Sequence, residues 1–280
     1  MKIIKYEKIV EEVKNMCIKA THELKPDVIN ALQEAYKREE SPFGKEVLSQ
    51  ILKNIEIAKE DGRPLCQDTG FAVLFVEVGE DVKIEGGSLR DALIEGVKRG
   101  YTEGYLRKSI VEDPLRRKNT GDNTPPVIHF DIVPGNTLRI IFEPKGGGSE
   151  NMSAFKMLLP GEGKEGVKKF VIETVKKAGA NPCPPIVVGV GIGGTFEYSA
   201  FLAKKATVRP IGQRNKDPFY AAFEEELLEE INKLGIGPMG LGGRITALDV
   251  HIEVYPCHIT SLPVSVNIQC HSDRREEIIL

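Results

Sequence analysis

Cys66, Cys183 and Cys270 constrain this chain more than any other feature. They lie in Pro-Leu-Cys-Gln-Asp-Thr-Gly, Asn-Pro-Cys-Pro-Pro and Ile-Gln-Cys-His-Ser-Asp-Arg-Arg, the composition of stiff loops rather than of packed helix or strand. Thiols on stiff loops far apart in sequence point to a metal centre that only the folded chain can assemble. Three cysteines on a cube of four irons leave one iron open to bind a substrate, which favours chemistry over electron storage. The competing reading is that a cysteine is a small buried hydrophobe. Cys17 fits it, because Ile9, Val10, Val13, Met16, Cys17 and Ala20 recur at helical spacing. Cys257, in Val-Tyr-Pro-Cys-His-Ile-Thr, is compatible with either. The absence of any Cys-x-x-Cys pair argues against a zinc ribbon or a ferredoxin-type run.

With 280 residues, 41% hydrophobic and 28% charged, the composition is that of an ordinary soluble globular protein. A net charge of −3 gives no bulk attraction to nucleic acid. Five cysteines, an odd number in no evident framework, suit a reducing compartment. The opening Met-Lys-Ile-Ile-Lys-Tyr-Glu-Lys lacks a signal-peptide core. No run approaches the ~18 apolar residues of a membrane span. A cytoplasmic, soluble protein with no nucleic-acid or membrane partner is expected.

Amphipathic helices are predicted near 5–23, 26–39 and 44–60, with Pro26 and Pro42 at helix starts and Asp61-Gly62 as a stop. Phe71–Val78 reads as a buried strand, and Ser88 as the cap of a helix reaching about Leu106. Val127–Val133 and Leu138–Phe142, joined through Pro134-Gly135-Asn136, carry a hairpin signal. Helices follow over 163–179, 196–205 and 217–234, with strands at 185–191, 244–254 and 262–269. Helices at the front and antiparallel-type strands later predict an α+β fold, with mixed or antiparallel sheets around a cluster site. No repeat or linker interrupts 1–280, so a single domain is expected.

Gly189-Val-Gly-Ile-Gly-Gly194 matches the dinucleotide fingerprint, yet the basic, Pro210-broken stretch Val208–Lys216 stands where an acid should end the next strand. A tight glycine turn near Cys183 is the preferred reading. Lys145-Gly-Gly-Gly-Ser-Glu-Asn151 lacks the Gly-Lys-Ser/Thr ending of a triphosphate loop. It is either a connector or a place where backbone N–H groups approach an anion. Arg107 and the basic, amide-rich loop Arg116–Pro126 suit carboxylate recognition if they are not simply a solvated surface. Asp68 stands two residues from Cys66, and His258 and His271 follow loop cysteines.

Together these segments resemble the iron–sulfur class I fumarate hydratases, at their α subunit or N-terminal half, and the related L-tartrate dehydratase α subunits. The resemblance spans essentially the whole chain. It is carried by Cys66-Gln-Asp-Thr-Gly70, Lys118-Asn-Thr-Gly-Asp-Asn-Thr-Pro125, Lys145-Gly-Gly-Gly-Ser-Glu-Asn151, Asn181-Pro-Cys-Pro-Pro185 and Cys270-His-Ser-Asp-Arg-Arg275.

The resemblance implies a 4Fe–4S cluster on Cys66, Cys183 and Cys270. It implies a substrate site of Gln67, Asp68, Arg107, Gly147, Gly148 and Asn151, with Asp68 as general acid and His258 supporting it. The implied reaction is the reversible dehydration of (S)-malate to fumarate, a step of the tricarboxylic acid cycle, or alternatively of L(+)-tartrate to oxaloacetate. It also implies a β subunit that supplies the remaining half of the active site, including a threonine base, in an α2β2 heterotetramer.

Overall fold

The computed structural model describes all of residues 1–280. The chain forms two compact units, each built from separated stretches: Met1–Leu24, Ile55–Gly147 and Arg274–Leu280 in the first, Lys25–Asn54 and Gly148–Asp273 in the second. In chain order the elements begin with β1 (Lys2–Lys5), α1 (Tyr6–His22), α2 (Pro26–Arg38), α3 (Pro42–Asp61), β2 (Phe71–Gly79), β3 (Val82–Glu85), α4 (Leu89–Glu103), β4 (Val127–Val133) and β5 (Leu138–Lys145). They continue with α5 (Gly147–Glu150), β6 (Ala154–Leu158), α6 (Gly163–Ala178), β7 (Ile186–Gly193), α7 (Phe196–Thr207), α8 (Pro218–Asn232), β8 (Ala247–Tyr255), β9 (Leu262–Gln269) and β10 (Glu276–Ile279). Helices and mixed sheets make this the α+β fold expected. No helix is long and apolar enough to cross a membrane.

In the first unit the main sheet has the order β10-β5-β2-β4. The helical stripe of α1, including Ile9, Val13 and Cys17, packs with Leu93, Val97 and Tyr101 of α4 and with Leu74, Val76, Ile140 and Phe142 of the sheet. Gly96 and Gly100 allow that approach, since a Cβ there would stand 2.7 Å from Val13 Cβ and 2.6 Å from Cys17 Cβ. Cys17 is thus a core residue, and burial pushes its thiol far above the usual range. Ser88 caps α4 as predicted, its hydroxyl accepting the Asp91 N–H at 3.1 Å.

The predicted hairpin does not form. Both strands exist, but β2 lies between them, parallel to β4 and antiparallel to β5. The physical reason is burial: Ala72 to Val76 are all buried, so β2 takes the centre of the sheet. The Pro134–Asn136 turn instead closes the end of β2, where Gly79 and Asp81 N–H groups donate to Thr137 and Gly135 carbonyls at 2.8 and 2.9 Å.

In the second unit the order is β6-β9-β7-β8, with β7 parallel to β8 and antiparallel to β9. Val188 and Val190 face a core shared with Val171 of α6 and with Phe223 and Leu227 of α8. The alternate residues, Gly189 and Gly191, lie against α7, where added Cβ atoms would fall 2.1 Å from Ala203 O and 2.0 Å from Ser199 O. The glycine pattern is therefore mostly strand interior that lets a helix pack closely. Only Gly193 and Gly194, at φ +92° and +69°, make the turn expected of the whole run.

The outer edge of β8 is sealed by side chains. Ile252 N–H donates to Glu224 Oε1 at 2.7 Å, and its carbonyl accepts from Asn215 Nδ2 at 2.7 Å and Arg209 Nη1 at 3.3 Å. Arg214 Nη1 donates to the Val250 carbonyl at 3.2 Å. The buried carboxylates Glu224 and Asp249 pair with Arg209 and Arg214. Burial opposes the charge on Asp249, but the His251 hydrogen bond, the Gly212 N–H and Arg214 outweigh it and hold the carboxyl at about 2.

Candidate active site

The expected site residues divide between the two units. Cys66, Gln67, Asp68, Arg107 and Gly147 belong to the first, while Gly148, Asn151, Cys183, His258 and Cys270 belong to the second.

In the first unit the Cys66–Gly70 loop leaves α3 and enters β2, and side chains distant in sequence pin it. Buried Tyr101 donates its hydroxyl to the Thr69 and Gly70 carbonyls at 2.9 and 3.1 Å. Burial keeps that phenol well above its usual value, so it stays a donor. Buried Asn123 donates to the Gly70 carbonyl at 3.2 Å, and Arg274 Nη1 donates to the Asp68 carbonyl at 2.7 Å. Gly70 sits at φ +83° with Pro144 C 2.6 Å from where a Cβ would stand, so only glycine allows the loop to meet β5.

The result is a fixed carboxylate. Asp68 Oδ1 accepts the Gly70 N–H at 3.0 Å, and Oδ2 accepts the Gly147 N–H at 2.8 Å. The Gly147 amide therefore addresses the candidate acid. Half-buried Cys66 accepts the Asp68 N–H at 3.4 Å and donates to Gln67 Oε1 at 3.3 Å. Arg107 is held by its backbone, whose N–H donates to Thr69 Oγ1 at 2.9 Å, and its side chain is exposed.

In the second unit Cys183 and Cys270 are both half-buried, and neither is in a disulfide. Their loops are tied together by His271, whose N–H and Nδ1–H donate to the Cys183 carbonyl at 3.3 and 2.9 Å. Cys183 occupies the left-handed region at φ +56°, an uncommon conformation for a residue with a side chain. Gln269, buried at the end of β9, accepts from the Cys270 N–H at 3.3 Å and from the Ser149 hydroxyl at 3.4 Å. Gly148 is exposed, with the Asn181 carbonyl 3.2 Å from its missing Cβ.

Two further predicted residues line open depressions of this unit. Asn151 borders one of ≈ 420 Å³ with Phe170 and Thr174. Exposed His258 and Cys257 border one of ≈ 590 Å³ with Phe196, Tyr198 and Tyr255. His258 makes a local contact, Nδ1 to Thr260 Oγ1 at 2.8 Å. No three Cys, His, Asp or Glu side chains group closely enough to hold a single metal ion.

Sequence reading singled out His271 beside Cys270 but missed Tyr101, Thr69, Asn123 and Arg274 as parts of this architecture. Three of those four lie inside motifs already singled out. Tyr101 was hidden because its ring fits the apolar face of α4 while its hydroxyl does the positioning.

A family model described as fumarate hydratase (Fumerase) matches residues 10–279. The chain belongs to this family. Its reaction class is that of a hydro-lyase. Among relatives of this fumarate hydratase family member, a Methanocaldococcus jannaschii protein, provisionally named an L(+)-tartrate dehydratase subunit alpha, is 50% identical over 274 residues, 96% of each chain. The L(+)-tartrate dehydratase subunit alpha of Escherichia coli O157:H7 is 37% identical over 277 residues, 98% of this chain and 91% of that one. Its counterpart in Escherichia coli strain UTI89 is 38% identical over 272 residues, 96% and 89% of the two.

Proposed function

We propose that this fumarate hydratase family member is the α subunit of a two-subunit hydro-lyase that dehydrates (S)-malate to fumarate. The observation that carries the reading is Asp68, whose two carboxylate oxygens are each fixed by a backbone amide beside the Cys66 thiol. A carboxyl held this way is suited to deliver a proton to a departing hydroxyl, because it keeps its position through the reaction. Arg107, exposed on a backbone held by Thr69, supplies a planar guanidinium for one substrate carboxylate. Gln67, Gly148 and Asn151 are exposed and able to complete carboxylate binding, and His258 is the second acid–base candidate.

The donor chemistry of Cys66, Cys183 and Cys270 fits a 4Fe–4S cluster. All three thiols are half-buried on loops and outside any disulfide, whereas Cys17 is sealed in the core. Those three cysteines would hold the cluster, which would supply a Lewis acid for the C2 hydroxyl. The names of relatives as α subunits support a β partner. We assign the C3 base to that partner and propose an α2β2 assembly.

A second reading, dehydration of L(+)-tartrate to oxaloacetate, is favoured by those same names. Both substrates are C4 hydroxydicarboxylates, and they differ by a hydroxyl that a buried polar group can read. Anaerobic co-expression with a β-type subunit, followed by absorbance assays on malate, fumarate and L-tartrate, tests both. Turnover of malate well above tartrate supports the first, and the reverse the second. Robust dehydration by the 280-residue chain alone would overturn the two-subunit reading.

A further inference from the structure

Each edge of the two four-stranded sheets except one is protected. An edge strand offers unpaired N–H and C=O groups to any other strand, so folded proteins shorten it, charge it or cover it. The β8 edge is covered by Glu224, Arg209, Arg214 and Asn215. The β10 edge is four residues long and begins Glu276-Glu277. The β6 edge is five residues long with exposed Lys156 at its centre.

β4 is different. It runs seven residues without Pro, Gly or Lys, pairs only with β2 and has no neighbour beyond it in the sheet. Three of its apolar side chains are open to solvent, Val127 at 39% exposure, Phe130 at 42% and Ile132 at 73%, while Ile128 packs against the core. The ladder with β2 keeps the strand extended, and His129 stacks on Phe75 of β2 with ring centroids 5.3 Å apart.

The sequence of β4 is also complementary to itself. Val-Ile-His-Phe-Asp-Ile-Val reads the same in both directions except that His129 and Asp131 exchange places. Two copies placed antiparallel about a two-fold axis through Phe130 would set Val127 against Val133 and Ile128 against Ile132. They would also set His129 against Asp131, twice. Directly opposed residues are the pairs that stabilise antiparallel strands: apolar on apolar, and donor on carboxylate. Parity agrees, because every pair joins residues whose backbone groups point to the same side, as an isologous strand pair requires.

We propose that β4 is a self-association edge, through which a second copy of this chain joins two four-stranded sheets into one continuous sheet. Backbone hydrogen bonds supply the attraction, and the His129–Asp131 opposition sets register and excludes the parallel arrangement. The proposal rests on β4 alone and not on the hydro-lyase reading.

Sedimentation velocity or light scattering on the full chain, across low to high micromolar concentration, reads the association directly and independently of cluster or turnover. A monomer–dimer equilibrium is expected. I132K alters a solvent-exposed side chain and should weaken the dimer by at least about tenfold, as should H129D, which opposes two carboxylates on each side of the axis. H129D/D131K restores opposite charges and should recover dimerisation. I279K, at the exposed end of β10, should leave it unchanged. Thermal melts of each variant establish that the monomer is folded. A wild-type chain that stays monomeric, equal effects of I132K and I279K, or no recovery in H129D/D131K would each overturn the proposal. A monomeric chain whose binding to a β-type subunit is blocked by I132K would give the edge to a different occupant and overturn it as well.

Discussion

The Cys66–Gly70 loop and the Pro256–Ser261 loop each carry a cysteine and an acid–base candidate, but they are held in opposite ways. The first is fastened by Tyr101, Asn123 and Arg274, residues 31 to 206 positions away, and its Asp68 carboxylate is fixed on both oxygens. The second is tied to the rest of its unit only where it begins, by the Gly194 N–H to the Pro256 carbonyl at 3.2 Å, and beyond that by local bonds: Cys257 to the Ser261 carbonyl, His258 to Thr260, and the Ser261 N–H to the His258 carbonyl. Its residues are largely exposed. A site residue held by buried groups is ready before substrate arrives, whereas one held by local bonds in solvent takes its working position from whatever covers it. On the proposed function, Asp68 would belong to the preformed part of the site and His258 to a part completed on assembly.

The largest expected effect breaks the comparison at its thiols. Cys66→Ser, and equally Cys183→Ser or Cys270→Ser, should strip most of the iron from anaerobically prepared protein, measured by metal analysis and visible absorption. Cys257→Ser and Cys17→Ser should retain it. Full iron retention in Cys66→Ser would remove the cluster from the mechanism. Aeration of the wild-type complex should abolish turnover, and ferrous iron with thiol should restore it.

Next in size is Asp68→Asn, which keeps the shape of the side chain but has only one oxygen to accept the two backbone N–H groups and cannot release a proton. Turnover in the assembled enzyme should fall by about 10²–10⁴-fold with little change in KM. An unchanged turnover number would leave the reaction without its acid.

Tyr101→Phe sharpens the difference between the loops by loosening the first. It leaves the Thr69 carbonyl without its donor inside the unit, at a cost of about 1–3 kcal/mol, read from denaturant unfolding. Turnover should fall with it, because Asp68 loses part of its support. The smallest effect belongs to His258→Ala in the chain alone, where stability should move by less than about 0.5 kcal/mol. In the assembled enzyme the same change should lower turnover. A large destabilisation of the lone chain would show that the second loop is preformed after all.

Much of this was legible from the sequence by itself. Helix positions followed from apolar spacing, and Ser88 from its place before α4, because both signals are local. The loop character of Cys66, Cys183 and Cys270, and the core character of Cys17, were written in their neighbours. The motifs also carried the family, since residues that serve chemistry do not repeat with helical or strand periodicity.

Tertiary structure alone decided the rest. A turn after β4 looks like a hairpin whichever strand finally lies beside it, and only the burial of β2 puts that strand between β4 and β5. Parallel pairing leaves no turn signal at all. Gly189 and Gly191 read as a turn until α7 is seen resting on them. Tyr101 is one more apolar residue of a helix until its hydroxyl reaches the Thr69 carbonyl 32 positions back. In each case the deciding partner is distant in sequence, and spacing along a chain carries no information about what folds against it.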